Sequence, residues 1–335
     1  MAGGTRRAEL ALLFGSLAVA LVLAEAAVRL LGSGPRAPGY APIHTGRRDR
    51  QPINALGYRD LDRVQPKPPG VRRVVCVGDS FTWGVGVLWD DAWPQRIERS
   101  LSRSRGERWE AVNLAEPGMN TVQEASRLES EGFGYGPDVV VVGFVLNDSE
   151  DENAAEARRA ADWAEEQHRQ PGAFEALVDR SALVRLVRTR IDATIENRQR
   201  ISGYRSMYAD SYKGWIAAKA ALQAMGGMCR AHGVPLVVVI FPLFANPLDA
   251  GYPFAELHAK VASAAEQAGA KVLDLLPRYR NVDWRLLVVD GTNDEHPSEL
   301  AQRIAAQAIA RGVDELVPRT TPPALASPAP ASARP

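Results

Sequence analysis

Residues Val74 to Val87 read VVCVGDSFTWGVGV, an apolar run that breaks into Gly78, Asp79 and Ser80 before glycine returns at positions 84 and 86. A serine presented at the end of a buried strand could act as a nucleophile. Glycine, aspartate and serine are also ordinary turn formers, so the stretch alone leaves both readings open. A nucleophilic serine needs a base to accept its proton, and that base needs a carboxylate to fix its tautomer. The chain has five histidines. His44 lies in a Gly/Pro-rich linker, His168 in a charged stretch, His232 before Gly233 at a helix end, and His258 within a helical pattern. His296, in DGTNDEHPSEL, has Asp294 and Asp290 two and six residues before it. That spacing suits a Ser-His-Asp triad, and it suits ordinary loop polarity equally well.

Strands must bring such distant residues together. Val71–Val77, Trp109–Leu114, Asp138–Leu146 (DVVVVGFVL), Val234–Phe244 and Ala270–Leu276 read as strands, and Ala92–Leu101 and Thr121–Phe133 carry helical spacing. Apolar runs that do not alternate, separated by helices, indicate a parallel sheet covered on both faces. The expected fold is α/β: a three-layer, doubly wound, flavodoxin-like parallel sheet of about five strands. Ligands of such sheets bind beyond the carboxyl ends of the strands. Gly78-Asp79-Ser80, NLAEPGMNT with Gly118, and Asn147-Asp148 close three consecutive strands, which suggests one composite site.

The remaining organisation is expected as follows. Residues 1–31 form a membrane anchor or signal segment, 32–70 a linker and lead-in, and 71–317 the α/β domain. Within that domain, 150–205, rich in Ala, Arg and Glu, form a helical insertion that is either a lid or a surface elaboration. The Pro/Ala/Ser-rich residues 318–335 form a disordered tail. Leu10 to Ala24 carries no charge, and the apolar stretch approaches the roughly 20 residues a membrane helix needs. Apolar residues surround this helix on all sides, against a core role. Ala24-Glu25-Ala26 has the small-x-small form of a signal cleavage site, whereas the length of the apolar run and its basic flanks favour an uncleaved anchor. Arginines stand on both sides, so the positive-inside rule leaves the orientation open.

Acids and bases balance at 40 each, so no global field recruits nucleic acid, and no nucleic-acid partner is expected. Cys76 and Cys229 are too few for a disulfide scaffold and read as small buried apolar residues. No CxxC or HExxH motif occurs, and neither a metal nor an organic cofactor is expected.

GDSFTWG, NLAEPGMNT, NDSED and DEHPS resemble, in order, the four blocks of the SGNH/GDSL hydrolases. The upstream INALGYRD is similar to the lead-in of membrane-anchored bacterial members, and the resemblance covers roughly residues 50–315. It implies Ser80 as nucleophile and His296 as base. The backbone N–H groups of Ser80 and Gly118 and the side-chain amide of Asn147 would form an oxyanion hole. Such donors suit acyl transfer, because neutral preorganised N–H groups stabilise the tetrahedral oxyanion. The family commonly places its acid three residues before the histidine, where this chain has Asn293. Asp294 is therefore assigned as the triad acid with Asp290 second, and a Ser-His dyad follows if neither reaches the ring. The G-x-S-x-G elbow of standard α/β-hydrolases is absent.

The expected reaction is carboxyl-ester hydrolysis through an acyl-Ser80 intermediate, on O-acetyl groups of glycans first and lipid esters next. Two rivals share the fold: an O-acetyltransferase acting on polysaccharide or another glycan, and a catalytically silent glycan-binding protein. The expected location is the cell membrane, with a single-pass N-terminal anchor and an extracytoplasmic catalytic domain, or the exterior if the segment is cleaved.

Overall fold

The computed structural model describes residues 2–31, 51–151, 178, 180–244, 246–289 and 295–319, with side chains from residue 9 onward. Two compact units emerge, Met1–Ala41 with Glu150–Trp215, and Pro42–Ser149 with Ile216–Pro335.

The second unit holds a five-stranded sheet. Its strands are β1 (Val71–Gly78), β2 (Arg108–Asn113), β3 (Val139–Phe144), β4 (Leu236–Ile240) and β5 (Lys271–Asp274), in the order β2-β1-β3-β4-β5. Every pairing is parallel. This is the doubly wound order in which neighbouring crossovers diverge and leave a crevice at the strand ends. Val139 to Val142 and Val237 to Ile240 are wholly buried, as strands covered on both faces must be. Each such valine or isoleucine contributes roughly 1.5–3 kcal/mol through removal from water.

Arg73 departs from the apolar pattern of β1, yet it is fully buried. Its guanidinium is satisfied by Glu110 on β2 (2.9 Å) and by the carbonyls of Tyr135 and Val64 (2.9 and 2.7 Å). Burial of that charge is tolerable because its donors find acceptors, and removing Glu110 alone would leave it uncompensated. Cys76 and Cys229 are free and buried.

Helices alternate with these strands along the chain. After α1 (Ala2–Leu31) and the short α2 (Ser80–Trp83), α3 spans Trp93–Arg105, α4 Thr121–Ser130, α5 Ala182–Met207, α6 Lys213–Ala231, α7 Ala255–Gln267, α8 Leu276–Tyr279 and α9 Glu299–Leu316. Local chemistry fixes several ends. Pro94 opens α3 and left-handed Gly106 closes it. Asn120 and Gln123 form a reciprocal capping box on α4, and the Ser298 hydroxyl accepts from Ala301 N–H at the start of α9.

In the first unit, α1 contains a 23-residue stretch, Glu9–Leu31, long and apolar enough to cross a membrane. Glu25 near its end caps α5, accepting from the Ala182 and Leu183 N–H groups (2.9 and 2.8 Å) and the Ser181 hydroxyl (2.8 Å). Arg29 joins the same contact by donating to Glu25 (2.6 Å) and to the Arg180 carbonyl (2.8 Å). The helical reading of the insertion holds over α5, while residues 152–177, the linker at 32–50 and the tail from 320 lie outside the described residues.

Candidate active site

Strand β1 ends by delivering Asp79 and Ser80 to the sheet's carboxyl edge. Asp79 caps α2, its Oδ1 accepting from Phe81 N–H at 2.9 Å. Its other oxygen, Oδ2, accepts from the Ser80 hydroxyl at 3.4 Å and from the Asn147 amide at 3.2 Å. Asp79 is fully buried. Burial pushes its carboxyl upward, opposed by hydrogen bonds from Phe81 and Asn147, the charge of nearby His296 and the Ser80 hydroxyl.

The glycines around Ser80 are steric requirements. A Cβ on Gly78 would stand 2.1 Å from Thr82 Oγ1, and one on Gly143, its partner in the sheet, 2.2 Å from the same atom. Both backbones therefore close around the first turn after the serine. Gly84 ends α2 in the left-handed conformation (φ 84°). A Cβ on Gly86 would meet Val289 Cγ2 at 2.5 Å, so the GVGV loop packs directly on the segment that leads to His296.

Arg59, from the lead-in, locks this loop. Its Nη1 donates to the carbonyls of Trp83 (2.8 Å) and Gly84 (2.6 Å), and its Nη2 to that of Val87 (2.5 Å). Burial pulls this guanidinium down to about 10.

Asn147 sits in the turn Leu146–Ser149 after β3. The turn is closed by Asp148, whose N–H donates to Val145 O (3.0 Å) while its Oδ2 accepts from Val145 N–H (2.7 Å). That contact withdraws Val145 from the ladder and aims the next residues at the site. With one N–H of Asn147 on Asp79, its second N–H remains to meet a ligand.

Gly118 lies in the β2–α4 loop with φ 86°, and a Cβ placed on it would meet no atom within 4 Å, so backbone conformation rather than space selects glycine there. Glu116 N–H donates to Gly78 O at 3.3 Å, which ties this loop to the end of β1. An open groove of about 320 Å³ runs from Gly118 along α4 past Gln123, Ser126 and Ser130. Ser80 does not line it.

His296 is held by backbone bonds on both sides. Val289 N–H donates to His296 O (3.1 Å), Val288 bridges Pro297, and Ser298 N–H donates to Leu287 O (2.8 Å). Its half-buried ring lies 5.7 Å from that of Phe81, the residue after Ser80. Gln302 on α9 binds the Phe81 carbonyl (3.1 Å) and Trp93 N–H (2.9 Å), which fixes the helix behind His296 against α2 and α3.

Ser80, Asn147, Gly118 and His296 thus gather at one end of the sheet. Asp294, Asp290 and Asn293 lie outside the described residues. Among the described residues, no three His, Cys, Asp or Glu side chains are grouped to hold a metal. Sequence reasoning missed two contributors. Arg59 had a signal in INALGYRD, but its carbonyl acceptors lie 24 to 28 residues onward. Glu124 lies three residues after Thr121 on the buried face of α4, and its charge reads like that of any surface helix.

Residues 76–304 match the model of the GDSL-like lipase/acylhydrolase family. Among solved structures, the chain is similar to the lipase/acylhydrolase from Enterococcus faecalis (15% identity, 75% of this chain and 100% of that chain, TM-score 0.44). It is also similar to the psychrotrophic esterase EstA from Pseudoalteromonas sp. (11% identity, 73% and 98%, TM-score 0.40). A third is the acetylxylan esterase Axe2 from Geobacillus stearothermophilus (15% identity, 72% and 93%, TM-score 0.44). No curated protein sequence matches the chain.

Proposed function

The chain belongs to the GDSL-like lipase/acylhydrolase family and is a carboxylic ester hydrolase; from that premise we propose that it works through an acyl-Ser80 intermediate. In this reading Ser80 Oγ attacks the ester carbonyl while His296 takes its proton. The tetrahedral oxyanion is received by the N–H groups of Ser80 and Gly118 and the second N–H of Asn147. One such donor lowers the barrier by roughly 3–4 kcal/mol. Collapse expels the alcohol, protonated by His296, and water then attacks the acyl-enzyme with His296 again as base. Asp294, with Asp290 second, is the proposed carboxylate that orients the ring.

The single observation that carries this reading is the sharing of Asp79 Oδ2 between the Ser80 hydroxyl and the Asn147 amide. One buried acceptor thereby sets the distance between the proposed nucleophile and an oxyanion donor. The preferred substrates are O-acetyl esters on glycans, and the enzyme is held at the membrane by α1 with its catalytic unit outside the cytoplasm. The length and apolar character of Glu9–Leu31 support the anchor. Glycan esters follow from that location rather than from the site.

Turnover of p-nitrophenyl acetate by the full chain, compared with Ser80→Ala and His296→Ala, tests the chemistry. Both substitutions are expected to abolish it. Equal activity in wild type and both variants would end the serine reading.

A further inference from the structure

Three carboxyl groups lie buried behind the site, and they receive very different numbers of hydrogen bonds. Asp79 accepts from Phe81 N–H, the Ser80 hydroxyl and the Asn147 amide. Asp148 accepts from Val145 N–H on one oxygen, while its Oδ1 has no donor. Glu124 is wholly inaccessible to solvent, and neither of its oxygens has a donor.

Their proximity follows from the elements that carry them. Thr121, one turn before Glu124 on α4, donates its hydroxyl to the Asp148 carbonyl at 3.0 Å. The first turn of α4 therefore sits on the Leu146–Ser149 turn, whose Asn147 binds Asp79. The charged groups around Glu124 are Asp79 from the end of β1, with His296 facing it from the segment before α9, and Asp148 from the turn after β3. Arg127, the nearest cation along α4, is directed instead at Glu116 and Glu131. Among the described residues, no cation is thus positioned to neutralise Glu124 or Asp148.

Ionised carboxylates only accept hydrogen bonds, so two of them packed without donors would each leave oxygens unsatisfied. A proton is the partner that resolves this. Three donors and the facing His296 assign the negative charge to Asp79, and the absence of any donor assigns the proton to Glu124. We infer that Glu124 is a neutral carboxylic acid whose O–H supplies the donor that Asp148 Oδ1 lacks, and that it is a positioning residue for the Asn147 turn. Burial and the neighbouring carboxylates act in the same direction, pushing both Glu124 and Asp148 well above the ordinary carboxyl range.

Loss of that proton at alkaline pH adds a negative charge beside Asp148 and Asp79. Repulsion then displaces the turn, carries Asn147 away from the oxyanion and lowers kcat. This catalytic consequence rests on the esterase reading, whereas the protonation state does not.

The test uses the full chain in detergent with Glu124→Gln and Glu124→Leu. Infrared difference spectra at neutral pH should show protonated-carboxyl carbonyl absorption in wild type that loses one component in Glu124→Gln, with any component due to Asp148 identified by its loss in Asp148→Asn. In kinetics, Glu124→Leu, which has no donor, should lose about tenfold in kcat with KM nearly unchanged, about the value of one hydrogen bond. Glu124→Gln, whose amide donates at any pH, should recover most of that loss and move the alkaline limb of kcat upward. The inference is overturned if Glu124→Gln removes no component of the wild-type absorption, or if the Gln and Leu variants share the wild-type alkaline limb. The infrared band needs no turnover, so an inert wild type would count against the esterase reading and leave the protonation result intact.

Discussion

Asp79 Oδ2 lies 3.2 Å from the side-chain nitrogen of Asn147, although 68 residues separate them in the chain. The same oxygen faces the Ser80 hydroxyl at 3.4 Å. The end of β1 and the turn after β3 are therefore joined at one buried atom, and replacing that acceptor should disturb catalysis more than binding. Asp79→Asn keeps the size and the Phe81 cap but removes the charge that both donors face. We expect kcat to fall about tenfold or more with KM changed little, as steady-state kinetics on a soluble ester would show. A larger effect on KM than on kcat would count against this role.

Asn147 and Gly118 are proposed to serve one oxyanion, but substitution should harm them for different reasons. Asn147→Ala deletes a donor, and kcat should fall about 10²–10³-fold. A Cβ at Gly118 meets no atom within 4 Å, so the cost of Gly118→Ala arises from holding φ at 86°. That conformation costs an L-residue about 1–2 kcal/mol, and relaxation away from it would turn the N–H aside. Single-turnover rates for the two variants and their double mutant measure whether the donors act together.

Gly86 couples the loop after Ser80 to the approach to His296. Its substitution by alanine would drive a methyl against Val289 at 2.5 Å. Gly86→Ala should reduce kcat by displacing the Val288–Pro297 bridge and by holding an L-residue at φ 81°, and Val289→Ala in the same chain should restore only the part due to the clash. A double-mutant cycle reads the compensation directly, and additive losses would place the effect elsewhere.

The buried Asp148 makes stability depend on pH in a definite direction. Its folded-state pKa is raised by burial, Glu124 and Asp79, so the folded chain binds more protons than the unfolded chain above 3.8. Its contribution is complete below that value and is lost as pH rises toward the folded-state pKa. Asp148→Asn retains an acceptor for Val145 N–H but cannot ionise. Relative to wild type, this variant should therefore gain stability from acidic to alkaline pH, as urea unfolding at a series of pH values would show. An unchanged difference across the series would contradict the raised pKa.

The sheet was readable because strands covered on both faces are apolar without interruption. Their ends were less so. Asp138–Leu146 reads as one strand, but the ladder stops at Phe144, because Val145 N–H turns to Asp148 Oδ2. Val234–Phe244 likewise shortens to Leu236–Ile240, and Ala270–Leu276 to Lys271–Asp274, where pairing between β4 and β5 ends. Ser80, Gly118, Asn147 and His296 could be proposed because they stand just beyond strand ends or in loops leading into helices, where glycine and polar residues are conspicuous. Arg59, Arg73 and Glu124 could not be recognised as buried, since their surroundings are supplied by distant segments. A charge in a sequence carries no mark of whether solvent or protein will face it.

Every step of the proposed reaction passes through an acyl group on Ser80. Labelling of the folded full-length chain with a fluorophosphonate, followed by peptide mass mapping, tests it most directly. One adduct is expected on the peptide containing Ser80, absent in Ser80→Ala and strongly slowed in His296→Ala. A folded wild-type chain that hydrolyses p-nitrophenyl acetate but carries no adduct on Ser80, or that labels equally well in Ser80→Ala, would contradict it.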